Sequence, residues 1–211
     1  MKMLRMLMLA ATLGSAVGLA TAEDKKPAEA TKSNPFLALE GWDGLVKDYW
    51  TVEGSTVVGL TTKDQKFNTF LCSKAEYGDF EMKFSVRLKD GKGNSGIQIR
   101  SKIADKKTFA VGGPQCDIGE GYWGSLYGEL FGGMMKEAPK ADINKLLKPK
   151  DFNEYYIKAV GKHVTIKVNG VVAVDEDFAK MPEKGIIAFQ LHAGPPMEVT
   201  FKDIVFTDLS K

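Results

Sequence analysis

The sequence predicts an all-β fold, a β-sandwich or jelly roll. Apolar and polar residues alternate with a period of two, most clearly over Phe80–Leu88, which is the pattern of a half-buried antiparallel strand. Turn signals recur about every ten residues, and many short strands separated in this way are typical of sandwiches. Helical periodicity is scarce and amounts to one turn at 141–147.

The turns place the strands in chain order. The cluster 90–94 ends the strand at 80–88, Gly161-Lys162 forms a tight turn, and Asn169-Gly170 is a strong two-residue hairpin signal. Lys184-Gly185 opens another apolar strand. We therefore expect strands at 50–52, 56–60, 69–73, 80–88, 95–100, 115–117, 155–160, 163–168, 171–174, 186–192 and 199–207.

The first residues have the parts of a secretory signal peptide in order. Lys2 and Arg5 give a short basic start, 7–20 is apolar or small, and Ala20-Thr21-Ala22 has the small-x-small pattern of a cleavage site. The apolar run is short for a membrane span, which needs about 20 residues, so an uncleaved anchor is the weaker alternative. We predict a signal peptide at 1–22 and export to the periplasm or the cell exterior.

The remaining chain divides into a linker and one domain. Residues 23–35 are polar and charged, with no apolar side chain larger than alanine, so we expect a disordered linker there. The domain at 36–211 has about 175 residues, which suits a single hydrophobic core. We expect no membrane span in this mature part.

Charge and cysteine content exclude some functions and leave one question open. Lys and Arg number 29 and Asp and Glu 27, a net charge of +2 with no basic stripe, so we expect no nucleic-acid partner. Cys72 and Cys116 are the two cysteines, and both lie in predicted strands. An exported protein can oxidise such a pair, so a disulfide and two buried free thiols are both compatible with the sequence.

Three predicted strands carry long polar side chains on one face and apolar ones on the other. Asparagine, glutamine, arginine, aspartate and histidine offer the directed hydrogen bonds that sugar hydroxyls need. We therefore expect these faces to line one sugar-handling cleft, although an ordinary solvent-exposed face is the alternative. The polar residues are Asn94, Gln98 and Arg100 on the first strand, Gln115 and Asp117 on the second, and Gln190 and His192 on the third.

A glycine-rich aromatic segment follows the second of these strands, at 119–129. Its Tyr122, Trp123 and Tyr127 have flat, partly apolar rings that suit stacking on a pyranose. The alternative is a loop that only closes the end of the sandwich.

Other aromatic and histidine residues have simpler interpretations. Trp42 and Trp50 lie in apolar contexts and are expected in the core. His163 begins a strand beside a turn and is expected at the surface, so His192 is the better functional candidate.

Common catalytic motifs are absent from the sequence. It has no nucleophile elbow, P-loop or zinc-protease helix motif. The spaced acidic triplet of jelly-roll glucanases is also missing. Asp117 and Glu129 are the only carboxylates near the predicted cleft, so ordinary two-carboxylate glycoside hydrolysis has no obvious pair.

Several motifs, taken in order, resemble the 3-keto-disaccharide hydrolase family, also described as 3-keto-glucoside 1,2-lyase and 3-keto-2-hydroxy-glucal hydratase. The resemblance covers 36–209 and implies a concanavalin-like jelly roll. The segments that carry it are Gly41-Trp42, 50–55, Tyr77-Gly78-Asp79-Phe80-Glu81, Asn94-Ser95-Gly96-Ile97-Gln98-Ile99-Arg100, Tyr127-Gly128-Glu129, 168–170 and 185–192.

The resemblance implies sugars already oxidised to a ketone at C3. Such a ketone acidifies the C2 hydrogen, so a base can remove it, the C1 substituent can leave by elimination, and water can add back. The site then needs a base, a group that stabilises the enolate oxygen and an acid for the leaving group, and no acidic pair.

This implied chemistry suggests a role for each candidate residue. Asp117 or His192 is the base, Arg100 stabilises the enolate, and Tyr127 or Glu129 assists the leaving group. A divalent metal ion is a weak further expectation, with His192 and Asp117, and also Gln115, as its ligands. The residues expected to bind the sugar are Asn94, Gln98, Gln115, Trp123 and Gln190.

One motif departs from the family pattern. Many members carry Gly-Tyr-Glu-x-Gln where this chain has Gly113-Pro114-Gln115-Cys116-Asp117, so the amide and the acid have changed places. The alternatives are therefore a non-catalytic, lectin-like binding module and, less favoured, a structural cell-envelope protein whose cleft is filled by its own Tyr122-Trp123 loop.

Overall fold

Two antiparallel sheets of seven strands each form the domain, in a computed structural model that describes residues 41–210. The all-β sandwich prediction is confirmed. The predicted signal peptide and linker lie outside the described residues. Within the described part of the chain, no helix is both long and apolar enough to cross a membrane.

The front sheet, as we call it, has the strand order β1-β4-β13-β6-β7-β8-β9. Its strands come from distant parts of the chain, so β6 is flanked by β13 on one side and β7 on the other. The strands are β1 (Trp42–Asp43), β4 (Thr69–Ser73), β6 (Asn94–Asp105), β7 (Ala110–Gly119), β8 (Leu126–Glu129), β9 (Gly133–Lys136) and β13 (Ile186–Leu191).

The back sheet has the order β12-β11-β10-β5-β14-β3-β2. Its strands are β2 (Trp50–Glu53), β3 (Thr56–Thr61), β5 (Phe80–Leu88), β10 (Asn153–Val160), β11 (His163–Val168), β12 (Val171–Asp177) and β14 (Met197–Asp208). Two short helices, α1 (Val46–Tyr49) and α2 (Lys140–Leu146), connect strands. The predicted helical turn is confirmed by α2, whereas α1, β1, β8 and β9 were not predicted.

The main core lies between the sheets, where the alternating strands point their apolar side chains. Phe84 of the back sheet stacks on Tyr155 with ring centroids 5.2 Å apart, and Phe189 of the front sheet meets Phe201 edge-on at 4.8 Å. Trp42 and Trp50 are buried in this core, as predicted. Because Phe189 and Leu191 point inward, Gln190 between them points out of the sandwich.

The outer face of the front sheet is itself partly buried. A second apolar cluster covers one part of it, made of Phe70, Cys72, Val111, Ile186 and Ala188. The other part is polar and carries the candidate site.

The two cysteines are free thiols, which answers the question that the sequence left open. Cys116 lies in the main core, and Cys72 lies in the cluster on the outer face of the same sheet. They belong to different strands with β13 and β6 between them. The two side chains therefore point to opposite faces and cannot meet.

Candidate functional site

A cleft of about 540 Å³ opens on the polar part of the front sheet's outer face. Strands β6, β7 and β8 supply most of its walls, and the rest comes from β9, the turn after β7 and the segments before β4 and after β13. It is lined by Asn68, Asn94, Gln115, Asp117, Tyr122, Tyr127, Glu129, Met134 and His192.

Strand pairing explains why residues far apart in sequence meet here. Asp117 of β7 lies opposite Gly96 of β6, and Gln115 lies opposite Tyr127 of β8. Residues on one face of neighbouring strands form rows across the sheet, so their side chains converge. Six of the ten predicted site residues line the cleft: Asn94, Gln115, Asp117, Tyr127, Glu129 and His192.

Gln98 and Gln190, two further predicted residues, lie in a buried layer beneath the cleft and are fully inaccessible. The amide of Gln115 connects this layer to the cleft. Its side chain lies 3.1 Å from that of Gln98, 3.3 Å from that of Gln190 and 2.8 Å from Oδ1 of Asp117. Gln98 and Gln190 therefore act on the cleft through Gln115, and the prediction that they bind sugar directly needs this correction.

A glycine makes this arrangement possible. A Cβ atom at Gly96 would lie 2.7 Å from Cγ of Gln115. The Gln115 side chain thus occupies the space that any other residue at Gly96 would fill, and so passes over β6 toward Gln190.

Arg100 does not reach the cleft, which corrects its predicted role at the enolate. Its guanidinium is buried and donates to the main-chain oxygens of Gly78, Gly161 and Pro182 and, at 2.9 Å, to Oδ1 of Asp79. The cause is a bulge in β6, where Arg100 takes a positive φ of 47°. Arg100 is a structural residue that ties connecting loops together.

Trp123 is the second correction, because it packs in the core with a relative exposure of 6%. Its neighbour Tyr122, exposed to 46%, lines the cleft instead. The turn that carries both is fixed by main-chain bonds, including Trp123 N–H to the Gly119 oxygen at 3.1 Å. The loop leaves the cleft open, contrary to the reading of a plugged site.

Asp117 is the most strongly perturbed acid in the cleft. Burial raises its pKa to about 7, the hydrogen bond from Gln115 opposes that rise, and the negative charge of Glu129 adds to it. An acid with such a pKa exchanges a proton near neutral pH, which suits general acid–base chemistry.

The ring of His192 is held by a hydrogen bond to the main chain of the next residue. Its Nδ1 lies 2.6 Å from the main-chain oxygen of Ala193. A carbonyl oxygen only accepts hydrogen bonds, so Nδ1 carries the hydrogen of the neutral ring and Nε2 keeps the lone pair.

Asn68 is a site residue that sequence reasoning missed. It accepts from the N–H of Ala193 at 2.8 Å and donates to Oε1 of Glu129 at 3.2 Å. It thereby links the His192 segment to β8 across the cleft. No sequence signal could have found it, because it lies in an irregular segment before β4 and its partners are 61 and 125 positions away.

The weak expectation of a metal ion is not supported by the donor set. Among residues 41–210, no group of three or more His, Cys, Asp or Glu side chains is placed to hold one. Asp117 and His192 each have a protein partner instead, the Gln115 amide and the Ala193 oxygen. We therefore assign no metal ligands.

Two packed antiparallel sheets of seven strands form a concanavalin-like or galectin-like jelly roll, the fold class that the resemblance implied. The chain belongs to the family of the 3-keto-alpha-glucoside-1,2-lyase-like domain, whose model matches residues 37–207. This confirms the resemblance drawn from the sequence motifs. No curated protein sequence matches the chain.

Several solved structures share the fold of this chain. A protein described as a "Putative glycosyl hydrolase" from Parabacteroides distasonis ATCC 8503 has a TM-score of 0.60 at 20% identity, covering 82% of this chain and 98% of that one. The carbohydrate binding module CBM66 from Bacillus subtilis has a TM-score of 0.55 at 16% identity, covering 79% and 94%. A Bacillus subtilis protein of unknown function with a galectin-like fold has a TM-score of 0.59 at 12% identity, covering 83% and 94%. These similarities show the fold, and the family supports a carbohydrate-related function.

Proposed function

We propose that the protein is an exported enzyme that cleaves 3-keto-glycosides by elimination across C1 and C2 and then hydrates the product. Family membership over residues 37–207 supports the substrate class. The observation that carries the proposal is that one cleft holds both His192 and Asp117, an acid whose pKa burial raises to about 7.

The reaction breaks two bonds and forms one double bond. A base takes the hydrogen at C2, negative charge develops on the C3 oxygen, and the C1=C2 double bond forms as the C1–O bond breaks. The departing oxygen takes up a proton. Water then adds hydroxyl at C1 and hydrogen at C2, so the net reaction is hydrolysis to a free 3-keto sugar.

His192 is the base in this proposal. The Ala193 oxygen, 2.6 Å from Nδ1, fixes the neutral tautomer with its lone pair on Nε2. Asn68 holds the same segment by accepting from the Ala193 N–H. The ring is therefore oriented before substrate binds, which reduces the reorganisation needed for proton transfer.

Asp117 donates to the developing C3 oxyanion. Among the described residues that line the cleft there is no Lys or Arg, so neutral donors must stabilise this charge. A protonated carboxyl in a buried site is a strong donor of this kind. Arg100, once expected in this role, lies outside the cleft.

The remaining lining residues suit the sugar and the leaving group. The Tyr127 hydroxyl supplies the proton or hydrogen bond to the departing C1 oxygen. Asn94 and Glu129 bind sugar hydroxyls, and Tyr122 at the edge presents its ring to the substrate.

Proton NMR of purified protein with a 3-keto-glucoside in deuterated buffer tests the proposal. We expect release of the aglycone with deuterium at C2 of the sugar product. His192→Gln should slow turnover by roughly 100-fold or more, as expected for loss of a general base. Asp117→Leu should slow it by a similar factor, because it removes a donor to the oxyanion.

The chain provides a matched control in its other histidine. His163 lies on the back sheet, exposed, with Asp175 and Asp177 as its partners. His163→Gln should turn over at the wild-type rate. Aglycone release without deuterium at C2 would exclude elimination, and equal rates for His192→Gln and wild type would remove the assigned base.

A non-catalytic sugar-binding module is the second candidate. The hydrogen bond that fixes Asp117 to Gln115 favours it, because a carboxyl held by a fixed partner suits binding as well as catalysis. Line broadening of the sugar signals without any turnover in the same NMR experiment would favour this alternative.

A further inference from the structure

We propose that the buried amides of Gln98, Gln115 and Gln190 form a reversible hydrogen-bond chain that holds a proton on Asp117. The chain makes these glutamines positioning residues, and Asp117 enters the cleft as a hydrogen-bond donor. The use of that proton in catalysis rests on the proposed function, whereas its placement depends only on the amides.

The amide group of glutamine is nearly symmetric in shape, so its oxygen and nitrogen can exchange places within one cavity. The hydrogen bonds available in each orientation decide which one is stable. In a buried chain the orientations are coupled, because each amide must present a donor to its neighbour's acceptor.

In the first orientation the chain serves an ionised Asp117. Gln98 donates to Gln115 at 3.1 Å, and Gln115 donates to Oδ1 of Asp117 at 2.8 Å and to Oε1 of Gln190 at 3.3 Å. Nε2 of Gln190 is then buried without an acceptor.

This orientation carries a second cost at Gln98. Its oxygen faces the main-chain oxygens of Pro114 and Gly113, at 3.2 and 3.3 Å, which offer no hydrogen to it. Only the Ser101 hydroxyl, at 2.6 Å, can donate to that oxygen. Buried acceptors that face each other and a buried donor without a partner are both unfavourable.

Turning Gln98 satisfies its nitrogen completely. The two hydrogens of the nitrogen then face three acceptors, the Pro114 oxygen, the Gly113 oxygen and the Ser101 hydroxyl, at 3.2, 3.3 and 2.6 Å. The Ser101 hydroxyl keeps an acceptor of its own, the Ile99 oxygen at 3.0 Å. The Gln98 oxygen now faces Gln115 at 3.1 Å and requires a donor there.

That requirement passes along the chain to the carboxyl. Gln115 must turn so that its nitrogen donates to Gln98, and its oxygen then lies 2.8 Å from Oδ1 of Asp117 and 3.3 Å from Gln190. Two oxygens at 2.8 Å need a hydrogen between them, which Asp117 supplies when it is protonated. Gln190 turns as well and donates the hydrogen that lacked an acceptor.

The groups around Asp117 favour the same state. Glu129 of β8 adds negative charge, and burial disfavours the carboxylate. Tyr155 of β10 donates to the Asp117 main-chain oxygen at 3.0 Å and leaves the carboxyl alone. Tyr127 and His192 face the carboxyl from the cleft walls, and neither is paired with it in the structure.

Carbon-13 NMR of protein labelled at the aspartate carboxyls measures the proton directly, without sugar or turnover. The Asp117 signal is assigned by its loss in Asp117→Asn. We expect its titration midpoint near neutral pH in the wild type. In Gln98→Met the midpoint should fall by about one pH unit or more, because Gln115 becomes free to donate to the carboxylate.

The direction in which the Asp117 midpoint moves in Gln98→Met distinguishes this proposal from a general effect of reduced polarity. Replacing an amide with an apolar side chain increases desolvation and by itself raises a carboxyl's midpoint. Ser101→Ala removes the only donor to the Gln98 oxygen in the first orientation, whereas the turned nitrogen keeps the Pro114 and Gly113 oxygens, so this variant should raise the midpoint. It also provides the test if Gln98→Met does not fold.

Gln65→Met is the matched control. Gln65 is a buried glutamine that is not part of the amide hydrogen-bond chain, and its side chain pairs with Tyr49. It should leave the Asp117 midpoint unchanged. A wild-type midpoint in the ordinary carboxyl range, a midpoint that rises or stays constant in Gln98→Met, or one that falls or stays constant in Ser101→Ala overturns the proposal. A neutral midpoint in a protein that does not turn over 3-keto-glucosides would refute the proposed function and leave the amide chain intact.

Discussion

At the scale of single residues, the site is a set of polar side chains whose partners decide their chemistry. Asp117 is almost fully buried beside an amide and near a second acid, while Arg100 is buried where four acceptors surround it. Both looked alike in the sequence, as polar residues on strand faces. Their roles differ because Asp117 lies in the lining of an open cleft, whereas Arg100 binds the main-chain oxygens of connecting loops.

The stability of the protein should depend on pH through Asp117. Its pKa is about 7 when folded and about 3.9 when unfolded, so below pH 4 both states carry the proton. As pH rises toward 7 the unfolded state loses that proton first, and the folded state loses up to about 4 kcal/mol of relative stability. Urea denaturation should give the wild-type protein a lower free energy of unfolding at pH 8 than at pH 5.

Asp117→Asn serves as the comparison for that titration, because asparagine does not ionise. Its free energy of unfolding should change less between pH 5 and pH 8 than that of wild type, by a few kcal/mol. Identical pH dependence in the two proteins would show that Asp117 titrates normally.

Removing the Arg100 side chain should destabilise the fold without acting on the cleft. Arg100→Met leaves three main-chain oxygens without this donor, while Asp79 keeps the N–H of Gly161, and the loss should cost about 3–5 kcal/mol in all. Arg87→Met is the control, since Arg87 stacks on Phe152 at the surface of the back sheet and should cost about 1 kcal/mol. Chemical denaturation measures both, and similar losses for the two would contradict the assigned role.

At the scale of elements, the alternating pattern predicted most strands and most of the outward faces. It failed where the register changes. β6 has one more residue than β7 between the pairs Gln98–Gln115 and Lys102–Gly112, and this bulge removes Arg100 from the face that period two assigns to it. The alternation of apolar and polar residues does not reveal a bulge, so the direction of the Arg100 side chain could not be predicted.

The turn after β7 was the other failure. Trp123 and Tyr122 are adjacent aromatics in a glycine-rich turn, and only the fold determines which one is buried. Asn68 could not be found either, since its contacts are made entirely by distant parts of the chain. Six of the ten predicted residues therefore line one cleft, two lie buried beneath it, and two lie elsewhere because irregular backbone orients their side chains.

Gly96 should be essential to the floor of the cleft. Gly96→Ala places a Cβ 2.7 Å from the Gln115 Cγ, a close contact near the stem of that side chain, so Gln115 must move and lose its bond to Asp117. We expect a cost of about 1–3 kcal/mol in stability and weaker sugar binding. Thermal denaturation and calorimetry with the 3-keto sugar measure the two effects.

Gly112→Ala is the control on the neighbouring strand. The atom nearest to its Cβ would be the Leu130 Cβ at 3.4 Å, an ordinary contact. A loss in Gly112→Ala as large as in Gly96→Ala would point to a general need for glycine rather than to the Gln115 contact.

At the scale of the whole molecule, the front sheet buries both of its faces, one in the main core and the other under a smaller apolar cluster beside the cleft. Cys72 lies in that cluster and Cys116 in the main core. Register links them through Ala188, Gln98 and Gln115 across three strand spacings, or roughly 14 Å, too far for a disulfide. Burial raises the pKa of Cys72 to about 12, with a smaller contribution from the charge of Asp43, and that of Cys116 above its usual range.

Both thiols should therefore stay reduced even in an exported protein. A thiol reagent added to the native protein should find no reactive group, because the thiolate is the attacking species and both side chains are inaccessible. In denaturant it should titrate two thiols, and under native conditions their labelling should follow the rate of global unfolding, since either cysteine opens only when the front sheet separates from its packing. Labelling of Cys72 alone, faster than unfolding, would show that the outer cluster opens independently and that the cleft beside it is held by a separable part of the fold.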